Sequence, residues 1–272
     1  MKTASRMLAL VCLLCALVVP AGAAGAQPLP PAIEIGRTAN DRPILAYRFG
    51  DGPLKRAIIG GIHGGYELNT IRLMSETMAF LGANPGTIPE AVTLYVVPAM
   101  NADGFYAGID RIRGRLNANR VDLNRNWDYE WSAQAWHGRL PVSGGDAPFS
   151  EPETRAVRDF ILDRGVDAVI FYHSAYSAVF AGANRERSDA EALAKLVAAA
   201  TGYPYRPDGV PGQTMTGNAI DWLTAQGVEA IEVELSDRED IDWLQNLRGL
   251  RAFLRWPAEG AAPDAATHAQ AQ

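Results

Sequence analysis

Short, continuously apolar runs alternate with helix-length segments along most of this 272-residue chain. The runs lie at residues 57–62, 92–97 and 168–172, and a fourth predicted strand at 230–235 has Glu232 and Glu234 between its apolar residues. Continuous apolar character is typical of strands that are covered on both faces, whereas half-exposed strands alternate. Strands that alternate with helices form parallel sheets. The sequence therefore predicts an α/β fold, with a mixed, mostly parallel sheet and helices on both of its faces.

The remaining elements are predicted from spacing and capping signals. A first hairpin is expected from strands at 32–35 and 44–49, and helices at 67–81, 150–162, 190–200, 218–225 and 243–253. Ser150 is predicted to cap its helix, with Pro152 in the first turn. The stretch 101–150 is predicted to be irregular and functional, because long loops inside compact domains usually are.

The N-terminus predicts an exported protein. Lys2 and Arg6 precede an apolar run at 7–20 and an Ala-Gly-Ala sequence at 24–26, the pattern of a secretory signal peptide. The run is too short to span a bilayer comfortably, which favours a cleavable signal over a membrane anchor. The expected location is therefore secreted or periplasmic. The predicted segments are a signal peptide at 1–26, one α/β domain at 27–257 and a disordered tail at 258–272.

Cysteine and charge exclude several classes of function. Cys12 and Cys15 both lie in the predicted signal, so the mature chain offers neither disulfides nor thiolate ligands, and a zinc site would need His and carboxylates. Without Lys2 and Arg6 the chain has 23 basic and 31 acidic residues, a formal charge of −8. No basic stripe interrupts this charge, which argues against nucleic-acid binding. No second apolar run predicts a stable membrane span after signal cleavage.

Polar side chains lie at or near the ends of three predicted strands. His63 follows the run at 57–62, His173 follows the run at 168–172, and Glu234 lies near the end of the strand at 230–235. Sites in such sheets lie at the carboxyl ends of strands. Glu67, at a strand-to-helix junction, can point at the same ion as His63, although such residues are more often structural or capping. His137 is interpreted as a surface or rim residue.

The segment VDLNRNW at 121–127 places Asp, Asn and Arg between apolar residues. Arg125 could bind a carboxylate through two parallel hydrogen bonds. An ordinary polar loop with a structural salt bridge is the alternative interpretation.

Seven motifs in order resemble the zinc carboxypeptidases of the carboxypeptidase A type (the funnelins), especially short bacterial members that include murein peptide amidases. They are GIHG at 61–64 with Glu67, NADG at 101–104, VDLNRNW at 121–127, PFSEPET at 148–154, HS at 173–174, IDW at 220–222 and EVEL at 232–235. The resemblance covers roughly residues 32 to 255.

The resemblance implies a metal site and a catalytic base. His63, Glu67 and His173 would hold one Zn²⁺ per chain, with an open position for water. Glu234 would be the general base. Glu232 competes for that role, because strand alternation puts both residues on one face.

The resemblance also implies substrate contacts. Asn124 and Arg125 would bind the free C-terminal carboxylate of a peptide substrate. Arg115 would polarise the scissile carbonyl, with Arg113 a less favoured choice. Ile220 lies where the family tunes side-chain preference, which suggests apolar terminal residues, whereas a one-residue shift onto Asp221 would suggest basic ones.

Two departures from the family pattern stand out. Three residues separate His63 from Glu67, where the family has two, so either the extra glycine bulges out or the helix start is shifted. The position of the family's mobile active-site Tyr, in the substrate-binding region, falls near Gln213.

The expected function is zinc-dependent hydrolysis of the C-terminal amide bond of peptides, with cell-wall (murein) peptides as one substrate class. A zinc-dependent N-acyl amino acid deacylase and a catalytically impaired peptide-binding relative are the alternatives.

Overall fold

The computed structural model describes residues 29–183, 188–210 and 215–256. The strands are β1 (Ala32–Arg37), β2 (Pro43–Phe49), β3 (Leu54–Ile59), β4 (Val92–Val97), β5 (Gln134–His137), β6 (Leu140–Ser143), β7 (Ala168–Ser174), β8 (Ala178–Ala181) and β9 (Glu229–Leu235). The α-helices are α1 (Leu68–Ala83), α2 (Ala102–Ala107), α3 (Pro152–Arg164), α4 (Ala190–Thr201), α5 (Ala219–Ala225) and α6 (Trp243–Leu254). The predicted signal peptide, the whole predicted tail and Gln213 lie outside the described residues.

Seven strands form one mixed sheet in the order β1-β2-β4-β3-β7-β9-β8. The four central strands β4, β3, β7 and β9 run parallel to one another, while β1, β2 and β8 join them antiparallel. Parallel strands end at the same edge of a sheet, so β3, β7 and β9 bring their carboxyl ends together. The predicted α/β class is confirmed.

Helices cover both faces of this sheet, because the central strands carry buried apolar side chains on both sides, with Glu232 and Glu234 as polar residues on one side of β9. On one face Ile58 and Ile170 pack against α1, α4 and α6. On the other face Ile59 and Phe171 pack against α3 and α5. Two apolar cores thus hold the parallel strands from opposite sides, and the strand ends are left free to carry polar residues. None of the described helices is long and apolar enough to cross a membrane.

The structure corrects several predicted boundaries. Glu151, not Ser150, occupies the N-cap of α3, and the Ser150 hydroxyl donates to the Glu151 carboxylate instead. The stretch 101–150 is less irregular than predicted, since it contains α2 and the β5–β6 hairpin. Strand β8 was also missed. These short elements lack the length over which a period can be recognised.

Candidate active site

His63 and Glu67 meet because a 3-10 turn, Gly64–Glu67, separates β3 from α1. Gly64 has φ +46, and a Cβ on it would lie 2.6 Å from the carbonyl carbon of Gly104. A glycine is therefore needed, because the left-handed conformation and the close backbone approach both exclude a side chain. The turn brings Glu67 Oε1 to 2.9 Å from His63 Nδ1. Glu67 is the last residue of this turn, and α1 begins directly after it at Leu68.

His173 completes a group of three buried side chains. Its Nδ1 lies 3.2 Å from His63 Nδ1 and 3.2 Å from Glu67 Oε2. Tetrahedral zinc with bonds of about 2.0–2.1 Å holds its ligand atoms about 3.3 Å apart. The three side chains are almost fully buried, and Glu67 Oε2 has no hydrogen bond among the described residues. Lone pairs that converge at these distances fit a cation, so the group is a candidate zinc site.

Asp122 and Arg115 position the candidate ligands His63 and Glu67 through hydrogen bonds and ion pairs. Asp122 Oδ1 lies 3.1 Å from His63 Nε2, which directs the Nδ1 lone pair toward Glu67 and His173. Arg115 Nη2 lies 2.8 Å from Asp122 Oδ2, and its Nη1 lies 3.4 Å from Glu67 Oε1. Burial alone would raise the pKa of Asp122, but the charges of Arg115 and His63 outweigh it and hold that pKa well below its usual range.

Burial and neighbouring charges also act in opposite directions on the pKa values of Glu67 and His173. Burial opposes ionisation of Glu67, yet His63 and His173 hold its pKa well below the usual value. Burial would lower the pKa of His173, but the Glu232 and Glu67 carboxylates raise it to about 9. The site is therefore built to favour positive charge at its centre.

Glu232 and Glu234 both face this group from β9. In the parallel register His173 is opposite Glu234, and Glu232 Oε2 lies 3.3 Å from His173 Nε2. Burial and the neighbouring Glu232 raise the pKa of Glu234 to about 8, and its Oε2 has no hydrogen bond among the described residues. Two carboxylates on one face of β9 are thus present, as strand alternation predicts.

Asn124 and Arg125 come from a second 3-10 turn, Leu123–Arg125, and reach the same cleft. The Asn124 side chain accepts a hydrogen bond from the Ala219 backbone and donates to Glu232 over 3.4 Å. Arg125 donates to the carbonyl oxygens of Asn124 and Trp136, which fixes its guanidinium. The structural salt bridge considered as an alternative for this segment is formed by Asp122 with Arg115, whereas Arg125 makes none within the described residues, and burial lowers the pKa of Arg125.

A cleft of about 130 Å³ joins the candidate metal ligands to these residues. It is lined by His63, Glu67, Arg115, Asn124, Arg125, His137, His173, Glu232 and Glu234, among others. His137, interpreted as a rim residue, is half-buried at its edge, and burial followed by the charge of Arg115 lowers its pKa to about 3. Arg113 is exposed and does not line this cleft.

The sequence pattern of the zinc carboxypeptidase family matches residues 31–254. The chain belongs to this family. Zinc carboxypeptidases depend on zinc, and the described residues of this one include a matching candidate ligand set in His63, Glu67 and His173.

Named relatives agree with this assignment. Mast cell carboxypeptidase A of Mus musculus is 27% identical over 76% of the chain, which spans 58% of the relative's length. Murein peptide amidase A of Escherichia coli K12 is 25% identical over 75% of the chain and 81% of the relative. The structure of bovine thrombin-activatable fibrinolysis inhibitor, in complex with tick carboxypeptidase inhibitor, matches in fold with a TM-score of 0.70, at 20% identity over 83% of this chain and 89% of that one.

Two contributors to the candidate site of this zinc carboxypeptidase family member have no role assigned from sequence. Asp122 was visible only as part of a polar motif, although an Asp beside Asn and Arg is a signal for a residue that orients a ligand. Glu232 was considered only as a competing base. Ile220 lies in a second cavity, described below, together with Asp221.

Proposed function

We propose that the chain is an exported zinc metallopeptidase that removes the C-terminal residue from peptides, with cell-wall (murein) peptides as one substrate class. The observation that carries this proposal is the arrangement of the cleft, in which the candidate metal ligands, a buried carboxylate and a fixed guanidinium lie side by side. The signal-like N-terminus supports export. The relative named murein peptide amidase supports the cell-wall class.

The positions of the residues support the following proposed roles. His63, Glu67 and His173 would hold the zinc ion, which would supply a Lewis acid able to activate water near neutral pH. Glu234 is assigned as the general base, which accepts a proton and passes it to the leaving amine. A buried carboxylate with a raised pKa and a free oxygen suits that task.

Arg115 and Arg125 are assigned to different ends of the scissile residue. Arg115 would stabilise negative charge on the carbonyl oxygen, and its contacts with Asp122 and Glu67 hold it in place without a conformational change. Arg125 would pair with the substrate's free terminal carboxylate, with Asn124 beside it. Planar bidentate pairing favours a carboxylate strongly over a neutral amide.

The test compares peptides with free and amidated C-termini on the wild type and on Arg125→Ala. We expect amidation to lower kcat/KM strongly in the wild type, and much less in the variant, which is already poor on the free acid. Thermal melting of the variant checks that the loss is not one of folding. Equal cleavage of both peptides by the wild type would contradict carboxypeptidase action.

Two further measurements separate the alternative functions. Faster hydrolysis of N-acyl amino acids than of peptides would identify a deacylase. A wild type that binds no zinc in elemental analysis would identify an impaired relative and contradict the proposal.

A further inference from the structure

A second cavity of about 340 Å³ adjoins the cleft at Val210, Met215 and Glu232, which line both spaces. Met215 Sδ lies 3.5 Å from Arg125 Nη2. A terminal residue whose carboxylate pairs with Arg125 can therefore extend its side chain past Met215 into this cavity. We call it the acidic cavity, for the reason that follows.

The acidic cavity carries its charged groups at two depths. Arg206 and Asp208 are exposed at its mouth, where opposite charges balance and water screens them. Glu232, which is only 8% exposed, and the half-buried Asp221 lie further in. The inner described residues thus contribute two carboxylates and no cationic side chain.

Asp221 is already occupied by structural hydrogen bonds. Its Oδ1 accepts from the Ala183 backbone at 2.6 Å, and its Oδ2 accepts from the Asn218 side chain at the start of α5. Both oxygens of this carboxylate therefore already accept hydrogen bonds at the start of α5, which makes Asp221 a poor partner for a substrate.

Glu232 has longer contacts with its neighbours than Asp221 has. Its contacts with described residues are those from Asn124 Nδ2 at 3.4 Å and from His173 Nε2 at 3.3 Å, and both involve Oε2. These distances are long for hydrogen bonds to a carboxylate. Neither contact involves Oε1, so a cation that enters the cavity could form a charge-assisted pair with that oxygen.

The walls of the acidic cavity suit a long aliphatic stem. Phe180 and Ile220 are apolar lining residues of the same space. Lysine and arginine side chains pack their methylene groups on such surfaces and keep the charged group at the end. Ile220 alone had suggested apolar terminal residues, but the cavity combines an apolar wall with an acidic inner part.

We propose that the acidic cavity selects a terminal residue with an ammonium or guanidinium side chain, and that Glu232 is the specificity-determining carboxylate. This inference rests on the proposed carboxypeptidase function. It gives Glu232 a role separate from that of Glu234, although both lie on the same face of β9.

The test uses wild-type protein and three peptides that differ only in the terminal residue: lysine, Nε-acetyllysine and norleucine. We expect kcat/KM to be at least about tenfold higher for lysine than for the two neutral analogues, since only lysine gains a charge-assisted pair with Glu232. Norleucine cleaved as well as lysine would overturn the inference. Failure to cleave any free-acid peptide would instead contradict the proposed function.

Two variants then test whether the preference for a terminal lysine depends on Glu232. Glu232→Gln should reduce the lysine-to-norleucine ratio to about one, while the exposed Asp208→Asn should retain the ratio. The ratio is informative even if Glu232→Gln slows both reactions through His173, because both peptides share that loss. A ratio that survives in Glu232→Gln and disappears in Asp208→Asn would overturn the assignment to Glu232.

Discussion

His173 is the residue at which the charges of the site meet, since Glu67 lies beside its Nδ1 and Glu232 beside its Nε2. In the metal-free protein these carboxylates raise its pKa from 6.5 to about 9. The protonated form is thus favoured in the folded state and not in the unfolded chain. Metal binding needs the neutral ring, so zinc and a proton compete for this residue.

The stability of the metal-free protein should therefore depend on pH. The contribution of His173 is fully present below pH 6.5 and is lost as pH rises through about 9, at most about 3 kcal/mol. The pKa of Glu234 is raised to about 8, so this residue also makes the free energy of unfolding fall as pH rises, over a lower pH range than His173 does. Urea unfolding of the chelated protein from pH 6 to pH 9.5 measures the loss.

Two variants provide the controls. His173→Asn should flatten the dependence above pH 8, whereas His137→Asn should leave it unchanged, because the low pKa of His137 keeps it neutral throughout. An unchanged slope in His173→Asn would show that another group carries the linkage.

Glu234 can be tested by an almost isosteric change. Glu234→Gln should keep zinc bound and lower hydrolysis by at least roughly 10², because an amide cannot accept the proton. Zinc content is measured by elemental analysis and kcat on a free-acid peptide. If Glu234→Gln stays active while Glu232→Gln is inactive, the base is Glu232 and the two roles on β9 must be exchanged.

At the scale of elements, the 3-10 turn Gly64–Glu67 decides whether the ligands meet. Gly64→Ala places a Cβ 2.6 Å from the carbonyl carbon of Gly104 and 2.7 Å from the carbonyl oxygen of Gly114, both backbone atoms that cannot swing aside. We expect at least tenfold weaker zinc binding, because the turn must shift and carry Glu67 with it. Titration with a competing chelator measures the affinity.

Gly138→Ala is the matched control for this turn. Gly138 also has a positive φ, +60, but a Cβ there meets nothing within 4 Å. It should cost only about 1–2 kcal/mol of stability for the left-handed conformation and leave zinc affinity unchanged. Equal affinities in both variants would show that the turn does not position Glu67.

For the whole molecule, the candidate metal site connects distant parts of the fold. His63 and Glu67 precede α1, whereas His173 belongs to β7, 110 residues further along the chain. Zinc at about 100 times its Kd should raise Tm by about 5–10 °C, because it binds only the folded arrangement. Thermal melting with and without chelator tests this, and His173→Ala should abolish the rise.

The central strands, the ligand types and the family could be predicted from the linear sequence. The apolar runs predicted β3, β4 and β7, because burial on both faces leaves little room for alternation. The absence of cysteine after the predicted signal restricted zinc ligands to His and carboxylates, and the ordered motifs indicated the family. These signals are local, so each survives in the linear sequence without knowledge of its neighbours.

Tertiary structure decided what depends on distances between remote segments. Asp122 supports His63 from 59 positions away, and Glu232 lies between His173 and a cavity built from β8, β9 and α5. Spacing along β9 placed Glu232 and Glu234 on one face but could not distinguish their surroundings. That distinction depends on which strands pair and which loops cover them, because a carboxylate takes its role from the groups within a few ångströms of it.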